Sequence, residues 1–187
     1  VAAGGVIALG DLLHQPELPA AMESAALLVL ATVAALPESR PQFVGTELVD
    51  KLVEVLEERE AYHGLSLAAC ALANLTADVP SDTAAAVVFA GAIEALISIL
   101  RRLPDALSDD GARSGQWAAA ALCNLCRQGP EAAQAVARCD GVAVIHAALE
   151  NGDDAGAMHQ FLCGCLCNLA VVDGEGLLAS GGVKCWG

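Results

Sequence analysis

The chain has 187 residues, of which 56 % are hydrophobic and only 3 % aromatic, and its formal net charge is −14. The hydrophobic content suffices for a buried core and excludes a disordered chain, whereas the negative charge makes nucleic acids and anionic membranes unfavourable partners. The longest apolar stretch, residues 25–36, is shorter than the ~20 residues that a membrane-spanning helix needs, so no membrane span is predicted.

The eight cysteines raise the questions of disulfides, of a zinc site and of the cellular compartment. Cys123 and Cys126 have CxxC spacing, but no histidine accompanies them at the spacing of zinc ligands. Six cysteines lie in Ala- and Leu-rich segments, where cysteine acts as a small hydrophobic residue: Cys70, Cys123, Cys126, Cys163, Cys165 and Cys167. We therefore expect no metal and no cofactor. Because no signal-peptide pattern is visible either, we expect a reducing location, cytoplasmic or nuclear.

The first predicted helix follows Gly4, from which apolar residues occur at offsets of 2, 5, 8 and 9 positions. This spacing places the apolar side chains on one face of a helix. The same offsets recur from Glu47, Gly91 and Asp140, and the Gly-Gly-Val sequence at 181–183 begins a fifth copy. The copies start near residues 4, 47, 91, 140 and 181, at spacings of 43, 44, 49 and 41 residues, which is typical of repeats of two or three helices.

A second recurring sequence, Leu-x-Asn-Leu, lies near the end of each unit, at residues 72–75, 122–125 and 166–169. We call it the asparagine phrase. A weaker copy, Leu-Ala-Thr-Val, occupies residues 30–33, so that Thr32 takes the place of the asparagine. Runs of small residues precede these phrases and predict longer helices that pack at close range.

A short helix fits between each asparagine phrase and the next start. Pro80 and Pro130, each beside polar capping residues, mark the entries of two such helices. Each unit is thus predicted to contain a short first helix, a second helix of about three turns and a longer third helix that carries the asparagine. Residues 101–115 are rich in Pro, Gly, Ser and Asp and are predicted to form a mobile loop insertion that explains the longest spacing.

These phrases, in step with one another over nearly the whole chain, resemble the armadillo repeat family, as found in importin-α and β-catenin. The resemblance implies an all-α, right-handed α-solenoid of about four three-helix repeats, forming one array over residues 1–187. HEAT repeats are the nearest rival, but they are two-helix units without the asparagine phrase. Both ends of the chain cut through a repeat, so we expect a fragment of a longer solenoid. Residues 181–187 also resemble a strand motif of chromosome-condensation-regulator-type β-propellers, although their phase with the other starts favours the armadillo interpretation.

The resemblance implies that the third helices line a concave groove, in which the asparagine side chain binds the backbone of an extended peptide. One amide can both donate and accept a hydrogen bond, which suits it to a peptide N–H and C=O. Asn74, Asn124 and Asn168 are therefore the predicted ladder. The alternative role for these side chains is a bridge between adjacent repeats.

Groove neighbours of each asparagine lie four and seven residues earlier on its helix. Seven residues earlier stand Leu67, Trp117 and Phe161, which are predicted to contact the peptide, whereas the positions four residues earlier are small: Cys70, Ala120 and Gly164. Importin-α carries tryptophan at the latter position, where it flanks the lysine stems of nuclear localisation signals. The groove is therefore predicted to be neutral and apolar. The alternative for Trp117 and Phe161 is packing against the neighbouring repeat or residues 101–115.

No catalytic constellation is visible in the sequence. No glycine-rich loop has phosphate-binding spacing. The four histidines lie in separate segments, away from a nucleophile with an orienting acid: His14, His63, His146 and His159. The sequence predicts a scaffold without enzymatic activity that binds an extended peptide or a helix of a protein partner, with its oligomeric state open. The alternative is a regulatory or substrate-recognition segment of a larger enzyme such as a ubiquitin ligase.

Overall fold

The computed structural model describes residues 3–58, 62–77, 82–103, 109–151 and 156–172. These residues form α-helices and one 3-10 helix, and no strand occurs among them. In chain order the elements are α1 (Ala3–Leu13), α2 (Ala20–Ala34), the 3-10 helix (Pro37–Phe43), α3 (Leu48–Glu58), α4 (Tyr62–Leu75), α5 (Asp82–Phe89), α6 (Ala92–Arg102), α7 (Asp109–Gln128), α8 (Pro130–Arg138), α9 (Gly141–Asn151) and α10 (Ala157–Val172). The described part of the chain is therefore all-α.

The helices repeat in triplets of increasing length. Helices α5, α6 and α7 form one triplet and α8, α9 and α10 the next, while the 3-10 helix, α3 and α4 form the preceding one. The predicted starts Glu47, Gly91 and Asp140 immediately precede the second helices α3, α6 and α9, and Gly4 lies inside α1. Gly91 and Asp140 have positive φ angles of 83° and 59°, a conformation that glycine and aspartate tolerate better than other residues. The fifth start, at residue 181, lies outside the described residues.

The third helices of successive triplets stack side by side. Helix α4 packs between α2 and α7, and α7 packs between α4 and α10. Small residues make this close approach possible, because alanine brings helix backbones together without leaving voids. The alanines from Ala68 to Ala73 on α4 and from Ala118 to Ala121 on α7 are buried, and one continuous core joins all the helices of the stack. The result is an elongated solenoid in which each repeat packs on its neighbours.

The prediction of a loop over residues 101–115 is wrong at both ends of that segment, which are helical. Helix α6 continues to Arg102, and α7 begins at Asp109, so that residues 109–115 are its first two turns. Asp109 and Asp110 occupy the first turn of α7, where negative charge interacts favourably with the helix macrodipole. Residues 104–108 lie outside the described residues.

The small residues of this segment pack inside the structure, although their composition predicted a loop. Gly111, Ser114 and Gly115 are buried on one side of α7. A Cβ atom added to Gly115 would lie 2.6 Å from a methyl carbon of Leu103, so a larger residue here would require the Leu103 side chain to move. The Ser114 hydroxyl is satisfied inside the helix, donating to the Gly111 carbonyl at 2.7 Å.

Within the described ranges, no single helix combines the length and the apolar composition needed to cross a bilayer. Helices α5 and α6 reach that threshold only when they are counted together across the 68° bend between them.

Candidate functional site

One face of each third helix carries the residues predicted to contact a peptide. On α4, Leu67 and Asn74 are both half-buried, and Cys70 lies half-buried between them. Spacings of three and four residues put the three side chains on a single stripe of the helix. Equivalent positions on the neighbouring third helices are also half-buried: Trp117 and Asn124 on α7, and Phe161 and Asn168 on α10. We call this set of six side chains the asparagine row: Leu67, Asn74, Trp117, Asn124, Phe161 and Asn168.

The three asparagines make the same hydrogen bond to the preceding repeat. The Nδ2 atom of each donates to a backbone carbonyl one third helix back, at 3.0 Å from Asn74 to Ala31, 3.1 Å from Asn124 to Ala73 and 3.2 Å from Asn168 to Cys123. Ala73 and Cys123 directly precede an asparagine of the row. Ala31 in turn directly precedes Thr32, so Thr32 stands in the same relation to Asn74 as Asn74 does to Asn124.

This geometry gives the asparagines the bridging role that the sequence left as an alternative. The bridge occupies one amide hydrogen, whereas the side chain offers two N–H donors and an acceptor oxygen. Asn124 also accepts a hydrogen bond at Oδ1 from Arg127, with 3.4 Å between the two atoms. Nδ2 of Asn74 also lies 3.8 Å from Cys70 Sγ and Nδ2 of Asn168 lies 3.9 Å from Cys123 Sγ. Sulfur is a weak acceptor, so a peptide carbonyl could replace it without breaking the bridge, and bridging and peptide binding are compatible.

The small residue four positions before Asn168 has a packing reason. A Cβ atom added to Gly164 would lie 2.9 Å from the sulfur of Cys123 on the neighbouring third helix. A larger side chain would require the Cys123 side chain or α10 to shift, next to the 3.2 Å bond from Asn168 to the Cys123 carbonyl. Glycine at 164 thus leaves room for the Cys123 side chain beside the amide bridge of Asn168.

Leu67, Trp117 and Phe161 combine two environments. Each packs against the core from the third-helix face while remaining partly accessible. One side of each side chain is therefore packed, and part of each still faces outward. An aromatic ring held on one side by the core and open on the other is a rigid surface with a low entropic cost of contact.

The predicted row ended too early along α7, because Arg127 was missed. A cleft of about 580 Å³ opens where the carboxyl ends of the third helices meet. Its lining combines apolar side chains with the side chains of Arg127 and Asn168: Ala77, Cys126, Arg127, Gly129, Pro130, Asn168, Val171 and Val172. The signal available in the sequence was the position three residues after the asparagine, which holds Ala77 and Val171 in the neighbouring repeats but arginine here.

The expected packing role holds for some of the cysteines only: Cys126 and Cys165 are buried and Cys70 and Cys123 half-buried, whereas Cys163 and Cys167 are exposed on α10. The Cys126 and Cys165 sulfurs approach to 3.3 Å between α7 and α10, where both side chains are buried. The hydrogen bond with Cys126 and burial together raise the pKa of the Cys165 thiol well above its ordinary value. In the part of the chain that the structure describes, no group of three or more His, Cys, Asp or Glu side chains is placed to hold a metal ion.

The four histidines do not converge. Each contacts a different partner: His14 with Glu47 at 3.8 Å, His63 with Asp110 at 3.4 Å, His146 with Glu150 at 3.6 Å, and His159 with the Leu149 carbonyl at 3.2 Å. The histidines thus stand in four separate local contacts rather than one shared site.

Known proteins were compared by sequence and by structure. No family and no curated protein matches the sequence. One engineered protein of solved structure is 27 % identical to the chain with a TM-score of 0.82, over 96 % of this chain and 69 % of that one. A computationally designed armadillo repeat protein for modular peptide recognition is 20 % identical, with a TM-score of 0.80 over 97 % and 72 % of the two chains.

A designed armadillo repeat protein in complex with a (KR)4 peptide is 18 % identical to the chain, with a TM-score of 0.79 over 97 % of this chain and 72 % of that one. At this identity the similarity concerns the fold. Together with the helix triplets and the stacked third helices, it identifies the chain as an armadillo-like repeat array.

Proposed function

We propose that the chain is a protein-interaction module that binds an extended segment of a partner along the asparagine row. The observation that carries this proposal is the identical placement of three amides, each fixed by a bond of 3.0–3.2 Å to the preceding repeat. Polar groups held in advance bind a ligand with less loss of side-chain entropy than mobile ones. Designed proteins of the same fold include one made for peptide recognition and one in complex with a peptide, which supports the proposal.

The repeat spacing suits an extended ligand. Packed helices lie about 8–10 Å apart, and an extended chain advances about 3.3 Å per residue. One asparagine per repeat would therefore meet every second or third residue of the ligand. The partly exposed faces of Leu67, Trp117 and Phe161 would contact side chains between these points, so an apolar-rich segment fits best, with an amphipathic helix as the other possible ligand.

The strong negative charge of the chain lies mostly away from this row. Acidic residues are frequent on second helices such as α3, which carries Asp50, Glu54 and Glu57. Helices α4 and α10 carry no Asp or Glu, and α7 carries them only in its first turn, at Asp109 and Asp110. The face that carries the asparagine row is therefore less acidic than the net charge of −14 suggests. In this proposal the chain performs no catalysis itself and acts in the cytoplasm or nucleus, and the same row would serve equally in a substrate-recognition segment of a larger enzyme.

The double variant Asn124→Ala with Asn168→Ala tests the proposal. We expect it to weaken binding of a peptide selected on the wild-type chain by about 0.5–1.5 kcal/mol for each site, because each lost amide removes one hydrogen-bonding group. Because the amides also bridge repeats, the free energy of unfolding should fall as well, by a similar amount per site. Isothermal titration calorimetry and urea denaturation measure the two effects.

A matched control is Gln134→Ala, which removes an exposed amide from α8 outside the row and should change neither quantity measurably. If the double variant lost stability while it bound the peptide as tightly as the wild type, the asparagines would be structural bridges only, and the proposed peptide contacts would be refuted.

A further inference from the structure

Arg127 is exposed at the carboxyl end of α7, next to the asparagine row. One of its guanidinium nitrogens, Nη2, donates to the Ala77 carbonyl at 3.0 Å and to Asn124 Oδ1 at 3.4 Å. These bonds hold the side chain across two repeats. A guanidinium has five N–H donors, so donors on its other nitrogens remain for a ligand.

No carboxylate within the described ranges forms an ion pair with Arg127. The acidic residues of α7, the exposed Asp109 and the half-buried Asp110, lie at its opposite end. Seventeen residues separate Asp110 from Arg127, or roughly 25 Å along the helix at 1.5 Å per residue. Arg127 is therefore remote from the acidic residues of its own helix.

The cleft beside Arg127 is open and has charged, amide and apolar groups in its lining. Its volume is about 580 Å³, and Arg127 and Asn168 provide its charged and amide groups. Pro130, Val171 and Val172 provide apolar surface next to them. A side chain with an apolar stem and a terminal carboxylate matches this lining, because the stem contacts the valines while the carboxylate accepts charge-assisted hydrogen bonds from the guanidinium.

We propose that this cleft selects an Asp or Glu side chain at one position of the bound segment, held by Arg127 and Asn168. The inference rests on the proposed function and specifies the chemistry of its ligand. It explains why arginine stands where the neighbouring repeats have Ala77 and Val171. The competing role for Arg127 is a cap for the carboxyl end of α4 through its bond to the Ala77 carbonyl, and an experiment separates the two roles.

The experiment begins with selection from a random peptide library, N-acetylated and C-amidated so that only side chains carry carboxylates. On the wild-type chain we expect Asp or Glu to be enriched at one position. Changing that residue to its amide should weaken binding about tenfold, which is 1.4 kcal/mol. The variant Arg127→Gln should weaken the acidic peptide by a similar factor and leave the affinity of the amide peptide nearly unchanged.

The outcomes distinguish this inference from the proposed function. If Arg127→Gln weakened the acidic and the amide peptide equally, Arg127 would act as a helix cap, and the selection of a carboxylate would be refuted while the row remained a binding site. Enrichment of Lys or Arg, or of no charge, at every position would refute it in the same way. A library that yielded no peptide dependent on Trp117 or Asn124 would contradict the proposed function itself, and the inference with it.

Discussion

Replacing Leu72 by alanine is expected to lower the free energy of unfolding by about 2–5 kcal/mol. Leu72 is fully buried on α4, the third helix that packs between α2 and α7. Truncation removes three carbon atoms from the core and leaves a cavity that closely packed alanines on both sides cannot fill. Urea or guanidinium denaturation followed by circular dichroism measures the loss.

Leu28→Ala is the matched control for this prediction. The substitution is the same, and Leu28 also lies on a third helix, α2, but its side chain is 55 % exposed. The expected loss is within about 0.5 kcal/mol, because little apolar area leaves water at this position on folding. Equal losses for the two variants would mean that α4 does not occupy the centre of the stack.

Replacing Trp117 by alanine is expected to reduce affinity for a selected peptide about thirtyfold. Aromatic residues at the centre of an interface commonly contribute about 2 kcal/mol or more to binding when truncated, which corresponds to this factor. Trp117 is half-buried and packs against the core, so the free energy of unfolding should also fall, by less than the ~3–5 kcal/mol of a fully buried tryptophan. Thermal melts precede the binding assay.

Ile99→Val separates loss of binding from loss of stability. Ile99 is buried on the second helix α6, away from the asparagine row, and its truncation should cost about 0.5–1.5 kcal/mol of stability. A thirtyfold loss of affinity in the Trp117 variant with no change in the Ile99 variant supports a direct contact. If Trp117→Ala destabilised the fold by the full ~3–5 kcal/mol, its ring would be a core residue, and it would leave the proposed binding face.

The helix order and the third helices could be predicted because both carry a positional signal. The apolar offsets from Glu47, Gly91 and Asp140 mark the second helices, which begin directly after these residues. The asparagine phrase marks the third helices because a polar side chain on an otherwise apolar helix is favourable only where it can form a hydrogen bond. These local rules required no knowledge of how the helices pack on one another.

Features that depend on distances between helices could not be predicted from the sequence. Glycine and serine at 111–115 indicated a loop by composition, yet they are buried because Leu103 packs against Gly115. The bridge from each asparagine to a carbonyl 43–51 residues earlier requires knowledge of how closely α2, α4, α7 and α10 approach one another. Arg127 was missed because the repeated phrase ends at Leu125, before the turn at which the repeats differ.

The most direct test of peptide binding along the asparagine row is a titration of the ¹⁵N-labelled chain with a selected peptide, followed by two-dimensional NMR. We expect the side-chain amide signals of Asn74, Asn124 and Asn168 and the indole signal of Trp117 to shift together as the peptide binds. A competing binding surface lies at α5, the first helix of its triplet, where Phe89 is 96 % exposed beside a second cleft. Shifts confined to α5 and α8, with the three asparagine signals unchanged, would contradict the account.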